Sequence, residues 1–348
     1  MNLPEYIKEA KKNWKLNYHY KKAQPSYFNK KPVTNDKFID PSISRYLEKV
    51  KLFNHSSSYV SYCEDISILA LNNCGSCLIS NIGVKKFTDI SSKYDLEIPE
   101  VKYTKIVKHK SVLLSMDSSC NYFHWICQVI PRLKLLINDG VDLSTIKTFL
   151  IPPIKGPFVI ESLKRIGISE NQLVEQEKGI KYIFKNIIIP SEPNRHIHIT
   201  DWSIEFINNL FKTNKKCKFK KIYIHRQKNK GGGISNQTEL YSYLNKLNYK
   251  KVILENLTIL EQAAIFKSAE IIISPHGASL ANLIFCKQNT KIIELFSFNF
   301  FSPLYWNISN LLNLDYHYVK SSSPLHNKTP SRKNLIDVNI KTLSTFIH

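Results

Sequence analysis

The chain has 348 residues, 43% of them hydrophobic, which is enough for two domains of ordinary size with separate cores. Lys and Arg number 49 against 28 Asp and Glu, so the formal net charge of +21 points to a polyanionic partner. No helix-turn-helix, zinc-finger or cold-shock pattern occurs, so an anionic glycan, a diphosphate or a lipid surface is favoured over nucleic acid. No apolar run approaches the roughly 20 residues that span a bilayer.

The amino-terminal residues have the pattern of a short amphipathic helix. Apolar residues repeat at helical spacing and lysines fill the opposite face: Leu3, Tyr6, Ile7, Ala10 and Trp14 against Lys8, Lys11, Lys12 and Lys15. Two interpretations remain open, a helix that binds an anionic membrane surface and a terminal helix packed on the protein body. We assign 1–60 to a basic extension whose later residues are extended. Because no apolar signal-peptide core is present, we expect a cytoplasmic protein, peripheral on the inner membrane if this helix binds lipid.

The seven cysteines are an odd number scattered through the chain, which favours reduced thiols over a disulfide framework. Cys74 and Cys77 form a CxxC pair, and no second pair follows at zinc spacing. We therefore interpret this pair as a turn that carries two thiols, in preference to a redox or metal site.

An amino-terminal Rossmann-like domain is predicted over 61–200. Its predicted segments are an apolar stretch at 66–71, strands at 77–79, 112–116, 148–151 and 187–189, and a helix at 122–137. Asn121 precedes this helix as its candidate N-cap. A helical segment at 202–211, followed by a basic run, fits an interdomain linker over 201–220.

Strand and helix patterns alternate through 221–325, which predicts βαβ units and a parallel sheet with helices on both faces. The strands are predicted at 222–225, 252–254, 271–273 and 292–295, with helices at 237–247 and 259–266. Two capping boxes mark helix starts, Asn236 with Glu239 and Thr258 with Glu261. A closing helix is expected within 326–348, of the kind that crosses back to the first domain.

The segment after the predicted strand at 271–273 reads Ser-Pro-His-Gly-Ala-Ser-Leu-Ala-Asn, residues 274–282. A helix that starts at this turn leaves its first amide groups unpaired, and the small residues Gly277 and Ala278 let those amides approach an anion. His276 adds a side-chain donor. The same residues also fit a tight turn without a ligand, and the turn alone does not separate the two interpretations.

Several short motifs follow one another along the chain. They are Asn-Tyr-Phe-His-Trp at 121–125, Pro-Arg-Leu at 131–133, Tyr-Ile-His-Arg at 223–226, Asn-Gln-Thr-Glu-Leu at 236–240, Leu-Thr-Ile-Leu-Glu-Gln at 257–262, His-Gly-Ala-Ser-Leu-Ala-Asn at 276–282 and Ile-Glu at 293–294. In order and spacing, this series resembles glycosyltransferase family 61. The resemblance implies an α/β fold of the GT-B type, in which two Rossmann-like domains face each other across a cleft. It also implies a nucleotide-sugar donor, inversion at the anomeric carbon and no obligatory metal.

The chain departs from the family pattern between Arg226 and the predicted helix at 237–247. Relatives usually carry a further arginine there, whereas this chain has Lys-Asn-Lys-Gly-Gly-Gly at 228–233, and Gln237 stands where the family has a glutamate. Lys228 or Lys230 could hold a phosphate with less geometric control than arginine, or the glycines could form a mobile surface loop. Both interpretations remain open.

The resemblance implies donor-binding roles at the carboxyl ends of the second predicted sheet, where open α/β sheets bind ligands. The predicted donor-binding residues are Arg226, Lys230, Glu255, Leu257, His276, Gly277, Ala278, Ser279, Asn282 and Glu294. Arg226, His276 and the turn are expected to meet the diphosphate charge. Glu294 is expected at the ribose hydroxyls, and the backbone near Glu255 at the nucleobase. Structural roles also fit, namely a salt bridge for Arg226, a cap for Glu294 and a brace of the turn for Asn282.

His124 is the predicted general base for the acceptor hydroxyl, since histidine titrates near neutral pH and this one lies in the other predicted domain. Asp117 is the second candidate. Flanked by Phe123 and Trp125, His124 also fits a buried histidine that orients a loop. The sequence has no Asp-x-Asp, the motif that holds a metal-bridged diphosphate, so neither a metal nor another cofactor is expected.

These expectations combine into an inverting, metal-independent glycosyltransferase that moves a hexosyl or pentosyl group. The expected donor is a nucleotide sugar, with a UDP-sugar favoured. The expected acceptor is a growing surface or capsular polysaccharide or a lipid-linked glycan. The alternative is a catalytically inactive GT-B scaffold that binds an acidic glycan or a partner synthase. Binding of nucleoside diphosphate separates the two, because a decayed site does not bind it.

Overall fold

A computed structural model describes residues 14–20, 58–75, 77–81, 87–88, 99–194, 199–226, 232–298, 300–321 and 334–347. The described residues through 194 belong to one compact unit, and those from 199 onward belong to a second. Both units mix helices with sheets that contain parallel strands, as the α/β prediction requires.

One mixed eight-stranded sheet organises the first unit. Its strands are β1 (Trp14–Tyr20), β2 (Ser58–Ala70), β3 (Cys77–Asn81), β4 (Phe87–Thr88), β5 (Tyr103–Leu113), β6 (Thr148–Ile151), β7 (Leu173–Glu175) and β8 (Ile180–Pro190). They run in the order β4-β3-β2-β8-β5-β6-β7, with β1 paired to β2. β5 pairs in parallel with β6 and β8, whereas β2 pairs antiparallel with β1, β3 and β8.

Helices in the first unit follow the parallel strands. After β5 come α1 (Tyr122–His124), a π-helical turn (Trp125–Val129) and α2 (Ile130–Asn138) in unbroken succession, and α3 (Phe158–Arg165) comes after β6. The helix predicted at 122–137 is confirmed, with a π-helical interruption that was not predicted. Side chains at alternate positions of β8, Ile180, Tyr182 and Phe184, point into the core, as the two-residue period of a strand requires.

The second unit contains a five-stranded sheet in which every neighbouring pair is parallel. Its strands are β9 (Lys221–Ile224), β10 (Lys250–Val252), β11 (Ile271–Pro275), β12 (Lys291–Phe296) and β13 (Asp315–Lys320), in the order β10-β9-β11-β12-β13. Its helices are α4 (Asp201–Leu210), α5 (Gln237–Lys246), α6 (Ile259–Ser268), α7 (Leu304–Leu311) and α8 (Ile340–Ile347), with a 3₁₀ helix at Ala278–Phe285. The predicted parallel sheet is confirmed, and β13 is an additional strand.

The carboxyl-terminal helix α8 packs within the second unit. Leu343 and Phe346 lie in the same core cluster as Tyr223 of β9 and Ile273 of β11. The expected helix is therefore present, but it covers its own unit's sheet because its apolar side chains complete that core.

One of the two predicted capping boxes is correct. Thr258 accepts a hydrogen bond from the Glu261 amide, and Glu261 accepts one from the Thr258 amide, which caps α6. At α5 the prediction is wrong, because the Asn236 side chain pairs with the backbone of Val338 at 2.9 and 3.0 Å. Asn236 thus ties the segment before α8 to the start of α5.

The structure also corrects the amino-terminal prediction. Trp14 and Lys15 belong to β1, where antiparallel backbone pairing with β2 holds the chain extended. The rest of the predicted amphipathic helix lies outside the described residues. None of the helices in the described ranges is both long and apolar enough to cross a membrane.

A disulfide joins Cys74 to Cys120 across 46 positions of sequence. The reduced-thiol prediction is therefore wrong for this pair, because the loop after β2 and the loop after β5 bring the two sulfurs together. Cys77 is buried on β3 and is not part of a disulfide, so the CxxC spacing does not form a two-thiol turn. Disulfides are typical of oxidising surroundings, and the cytoplasmic location stays a prediction.

Candidate functional site

Arg226 and the turn after β11 meet at the carboxyl end of the parallel sheet. β9 and β11 are paired neighbours, so the residues that follow them emerge side by side. Arg226 Nη1 donates a hydrogen bond to the His276 carbonyl oxygen at 2.5 Å. A Cβ atom on Gly277 would lie 2.4 Å from this nitrogen, so the missing side chain is what lets the guanidinium lie against the turn. Arg226 and residues 276–279 are all half-buried, which leaves them accessible to a ligand.

A buried carboxylate holds the His276 ring. Its Nδ1 lies 2.5 Å from Glu294 Oε1, and the Tyr316 hydroxyl donates to Glu294 Oε2 at 2.5 Å. Glu294 is fully buried, at 0% exposure. Burial and the neighbouring Glu294 raise the pKa of Tyr316 well above its usual range, so this hydroxyl stays protonated and donates.

This arrangement defines what each member of the cluster does. A carboxylate accepts but does not donate, so His276 Nδ1 carries a proton and Nε2 is the ring's second hydrogen-bonding atom. Because both oxygens of Glu294 already have donors, the geometry favours orientation of His276 over the predicted ribose contact. Three aromatic rings fix the imidazole plane, with centroid distances of 5.2 to 5.4 Å to Phe296, Phe300 and Tyr305.

Asn282 is buried below the turn and braces it from inside. Its Nδ2 donates to the Ser279 carbonyl at 3.0 Å and to Gln262 Oε1 at 2.7 Å. Gln262 Nε2 in turn donates to the Leu257 carbonyl at 3.0 Å. The structure thus favours the bracing role for Asn282, and it links the predicted nucleobase loop to the predicted phosphate turn through Gln262.

The remaining donor-site candidates differ in how they are placed. Glu255 is exposed and Leu257 half-buried on the loop between β10 and α6, while Ala278 and Ser279 open the 3₁₀ helix. The sequence predicts a helix at that point, and the helix is present as a 3₁₀ helix. The observed segment is wound more tightly, and all its residues from 280 to 285 are buried. Lys230 and Lys228 lie outside the described residues.

His124 lies at the end of α1 in the first unit and is half-buried. Its Nδ1 is 2.6 Å from Gln128 Oε1, and its ring stands edge-on to Phe123 with centroids 5.3 Å apart. Asn121 caps the helix, accepting from the Phe123 amide at 3.0 Å, as predicted. The histidine is therefore oriented by its neighbours and partly exposed.

Asp117, the second candidate base, is exposed on the loop that carries Cys120. This loop packs closely on the loop after β2. A Cβ atom on Gly75 would lie 2.1 Å from Ser119 Oγ and 2.2 Å from the Met116 carbonyl oxygen, so only glycine fits. Together with the Cys74–Cys120 disulfide, this contact anchors the chain just before the helix that carries His124.

Arg132, from the Pro-Arg-Leu motif, is a structural brace. It is 1% exposed and donates to the carbonyl oxygens of Leu113, Leu114 and Pro190 at 2.8 to 3.1 Å. These carbonyls lie at the carboxyl ends of β5 and β8, so Arg132 joins α2 to both strands. Among the residues the structure describes, no group of His, Cys, Asp and Glu side chains has the arrangement of a metal site.

Three side chains at these sites were not predicted from the sequence: Tyr316, Gln128 and Asn194. Tyr316 lies on the unpredicted strand β13, and Asn194 follows β8. A parallel sheet with a guanidinium, a carboxylate-held histidine and a glycine turn at its carboxyl edge is consistent with a Rossmann-like α/β fold.

Comparison with known proteins gives a family match for part of the chain. Residues 122–293 match the family model Glycosyltransferase 61, a stretch that includes His124, Arg226, and His276 and excludes Glu294 and Tyr316. Over 94 residues the chain is 27% identical to beta-1,2-xylosyltransferase RCN11 of Oryza sativa subsp. japonica. The matched stretch covers 25% of this chain and 18% of that protein. The match spans less than a fifth of that relative's length. Residues 122–293 therefore contain a glycosyltransferase family 61 domain.

Proposed function

We propose that the chain is an inverting, metal-independent glycosyltransferase that transfers a sugar from a nucleotide-sugar donor to a glycan. The observation that carries the proposal is the contact of Arg226 with the His276–Gly277 turn at the edge of the parallel sheet. This contact lies inside the segment that matches glycosyltransferase family 61. Sugar transfer from such a donor releases a nucleoside diphosphate, whose charge has to be stabilised as it develops.

The second unit supplies groups suited to that charge. The Arg226 guanidinium has a fork of donors that matches phosphate oxygens. His276 is held by Glu294 through Nδ1, so its Nε2 is the ring atom left to face a phosphate oxygen. The amides that start the 3₁₀ helix at Ala278 add further donors.

The matched relative and the net charge support finer features of the proposal. A UDP-pentose is a reasonable first donor to test, because the matched relative is a xylosyltransferase, although the match covers only 18% of that protein. The proposed acceptor is a growing surface polysaccharide or a lipid-linked glycan, in keeping with the basic net charge of +21. The proposed fold is of the GT-B type.

A donor screen tests the proposal. Purified protein is incubated with each common nucleotide sugar, with and without EDTA, and release of nucleoside diphosphate is followed. We expect release from one donor, unchanged by EDTA and lost in Arg226→Ala. Arg165→Ala, the same change at an exposed position of α3, is the matched control and should retain activity.

A thermal-shift assay separates an inactive scaffold from an enzyme that lacks its acceptor. Nucleoside diphosphate at 100 times its Kd should stabilise an intact donor site by about 2.7 kcal/mol. If no donor reacts and no nucleoside diphosphate shifts the melting temperature, the enzyme proposal is refuted and the scaffold is favoured.

A further inference from the structure

The Gln128 amide has a single orientation that satisfies its neighbours. Gln128 is 4% exposed and its side chain lies between His124 Nδ1, at 2.6 Å, and the backbone carbonyl oxygen of Asn194, at 3.2 Å. A carbonyl oxygen only accepts, so the NH₂ group must face Asn194. The amide oxygen then faces His124, and an amide oxygen also only accepts. His124 Nδ1 must therefore carry a proton.

The origin of this network is visible in the helix itself. Pro131 has no amide proton, so it cannot donate to the carbonyl four residues earlier, that of Cys127. The Asn194 side chain supplies the missing donor, with its Nδ2 2.5 Å from the Cys127 oxygen. Asn194 is 0% exposed and so is held rigidly, with its own carbonyl directed at Gln128. The π-helical turn Trp125–Val129 accommodates this insertion, as such turns often do near functional sites.

We propose that Gln128 is a positioning residue that holds neutral His124 in the Nδ1–H tautomer, which makes Nε2 the atom that takes the acceptor's proton. This inference rests on the proposed function for its catalytic part. In the transfer step the acceptor hydroxyl proton moves to Nε2, and the hydroxyl oxygen forms the new bond to the anomeric carbon. The bond from that carbon to the diphosphate oxygen breaks, and its electron pair leaves with the diphosphate.

The chemical difference between the two histidines supports this assignment. His276 bonds to the buried carboxylate of Glu294. His124 bonds to a neutral amide, which fixes the ring without adding a negative charge to stabilise its cation. A base needs the neutral ring with a lone pair at a defined atom, and Gln128 provides that condition.

The tautomer can be measured without any activity assay. Long-range ¹H–¹⁵N NMR of the full chain labelled at histidine distinguishes a protonated Nδ1 from a protonated Nε2, and His124→Asn assigns the signal. In the wild-type protein above the titration range of the ring we expect the Nδ1–H pattern. In Gln128→Met, which keeps the side-chain length but has no acceptor, we expect the signal to move toward the Nε2–H form that predominates in free histidine.

Kinetics then test the catalytic consequence with the donor found in the release screen. Gln128→Met should lower kcat by about 10- to 100-fold, part of the 10²–10⁴-fold that a general base contributes, and leave the donor KM unchanged. Gln172→Met is the matched control. Gln172 is also buried, at 9% exposure, lies in the same unit and donates to the Leu143 and Ile146 carbonyl oxygens. It should lower stability and leave kcat unchanged.

Gln128→Glu provides a second, opposite test. A carboxylate at this position keeps the bond to Nδ1 and raises the pKa of His124, so the acid limb of the kcat profile should move to higher pH. An Nε2–H pattern in the wild-type spectrum overturns the proposal whether or not the chain is an active transferase. So does a kcat loss in Gln128→Met no larger than that in Gln172→Met.

Discussion

Replacing Tyr316 with phenylalanine removes one hydroxyl from the cluster that holds His276. The hydroxyl donates to Glu294 Oε2 at 2.5 Å inside a fully buried environment. The ring stays the same size, so the change creates no cavity beyond the oxygen itself. Tyr223→Phe is the matched control, because Tyr223 is equally buried in the same sheet and its hydroxyl has no hydrogen-bond partner in the described part of the chain.

The two substitutions should change stability in opposite directions. A hydrogen bond to a charged group contributes about 1.5–3 kcal/mol, and its loss leaves a buried carboxylate oxygen without a donor. We expect Tyr316→Phe to lower the free energy of unfolding by about 2 kcal/mol. Tyr223→Phe removes a buried hydroxyl that already lacks a partner, and it should raise the free energy of unfolding by about 1 kcal/mol.

Urea denaturation measures both effects. With an m-value of about 2 kcal/mol/M, Tyr316→Phe should lower the midpoint by about 1 M, and Tyr223→Phe should raise it by about 0.5 M. Equal shifts for the two variants would contradict the reasoning, because the Glu294 contact is the feature that distinguishes them. A change in m rather than in the midpoint would also count against it, since neither substitution should alter the surface exposed on unfolding.

Other features of the structure give further expected outcomes. Reducing the Cys74–Cys120 disulfide, or Cys120→Ser, should cost about 4 kcal/mol of stability for a closed loop of 46 residues, measured by denaturation with and without reductant. Gly277→Ala should displace the Arg226 guanidinium and raise the donor KM at least 10-fold, and an unchanged KM would argue against the contact. The melting temperature should stay within about 2 °C, because the φ of 169° at Gly277 is extended backbone that alanine also adopts. Burial raises the pKa of Tyr249 to about 12 and that of Tyr223 higher still. The free energy of unfolding should therefore be unaffected by these tyrosines below pH 10, and above it should fall by up to about 1.4 kcal/mol per pH unit for each, because they ionise in the unfolded chain first. A flat profile of unfolding free energy from pH 9 to 11 would contradict this.

Local signals were sufficient for most of the second unit. The β-branched run at 271–273 predicted β11, and Thr258 with Glu261 predicted the start of α6. Each of these patterns depends on residues within a few positions of one another, so the local sequence is enough to predict that element. The Pro-His-Gly turn was likewise predicted at the correct strand end.

Contacts between distant residues could not be predicted in the same way. The sequence of β13 is Asp-Tyr-His-Tyr-Val-Lys. Its polar residues leave too short an apolar pattern to predict a strand. Tyr316 meets Glu294 22 residues away through strand pairing, and Cys74 meets Cys120 across 46 positions. The wrong capping box at Asn236 has the same cause, since its partner Val338 comes from the far end of the unit.

The chain of amides from Leu257 through Gln262 and Asn282 to Ser279 has a consequence for protein engineering. Transplanting the 255–257 loop from a relative that uses a different nucleotide would replace a carbonyl on which Gln262 depends. A displaced Gln262 would move Asn282, because the two side chains are hydrogen-bonded. Asn282 would in turn shift the Ser279 carbonyl at the start of the 3₁₀ helix. A chimera that exchanges this predicted nucleobase loop should therefore exchange Gln262 and Asn282 with it.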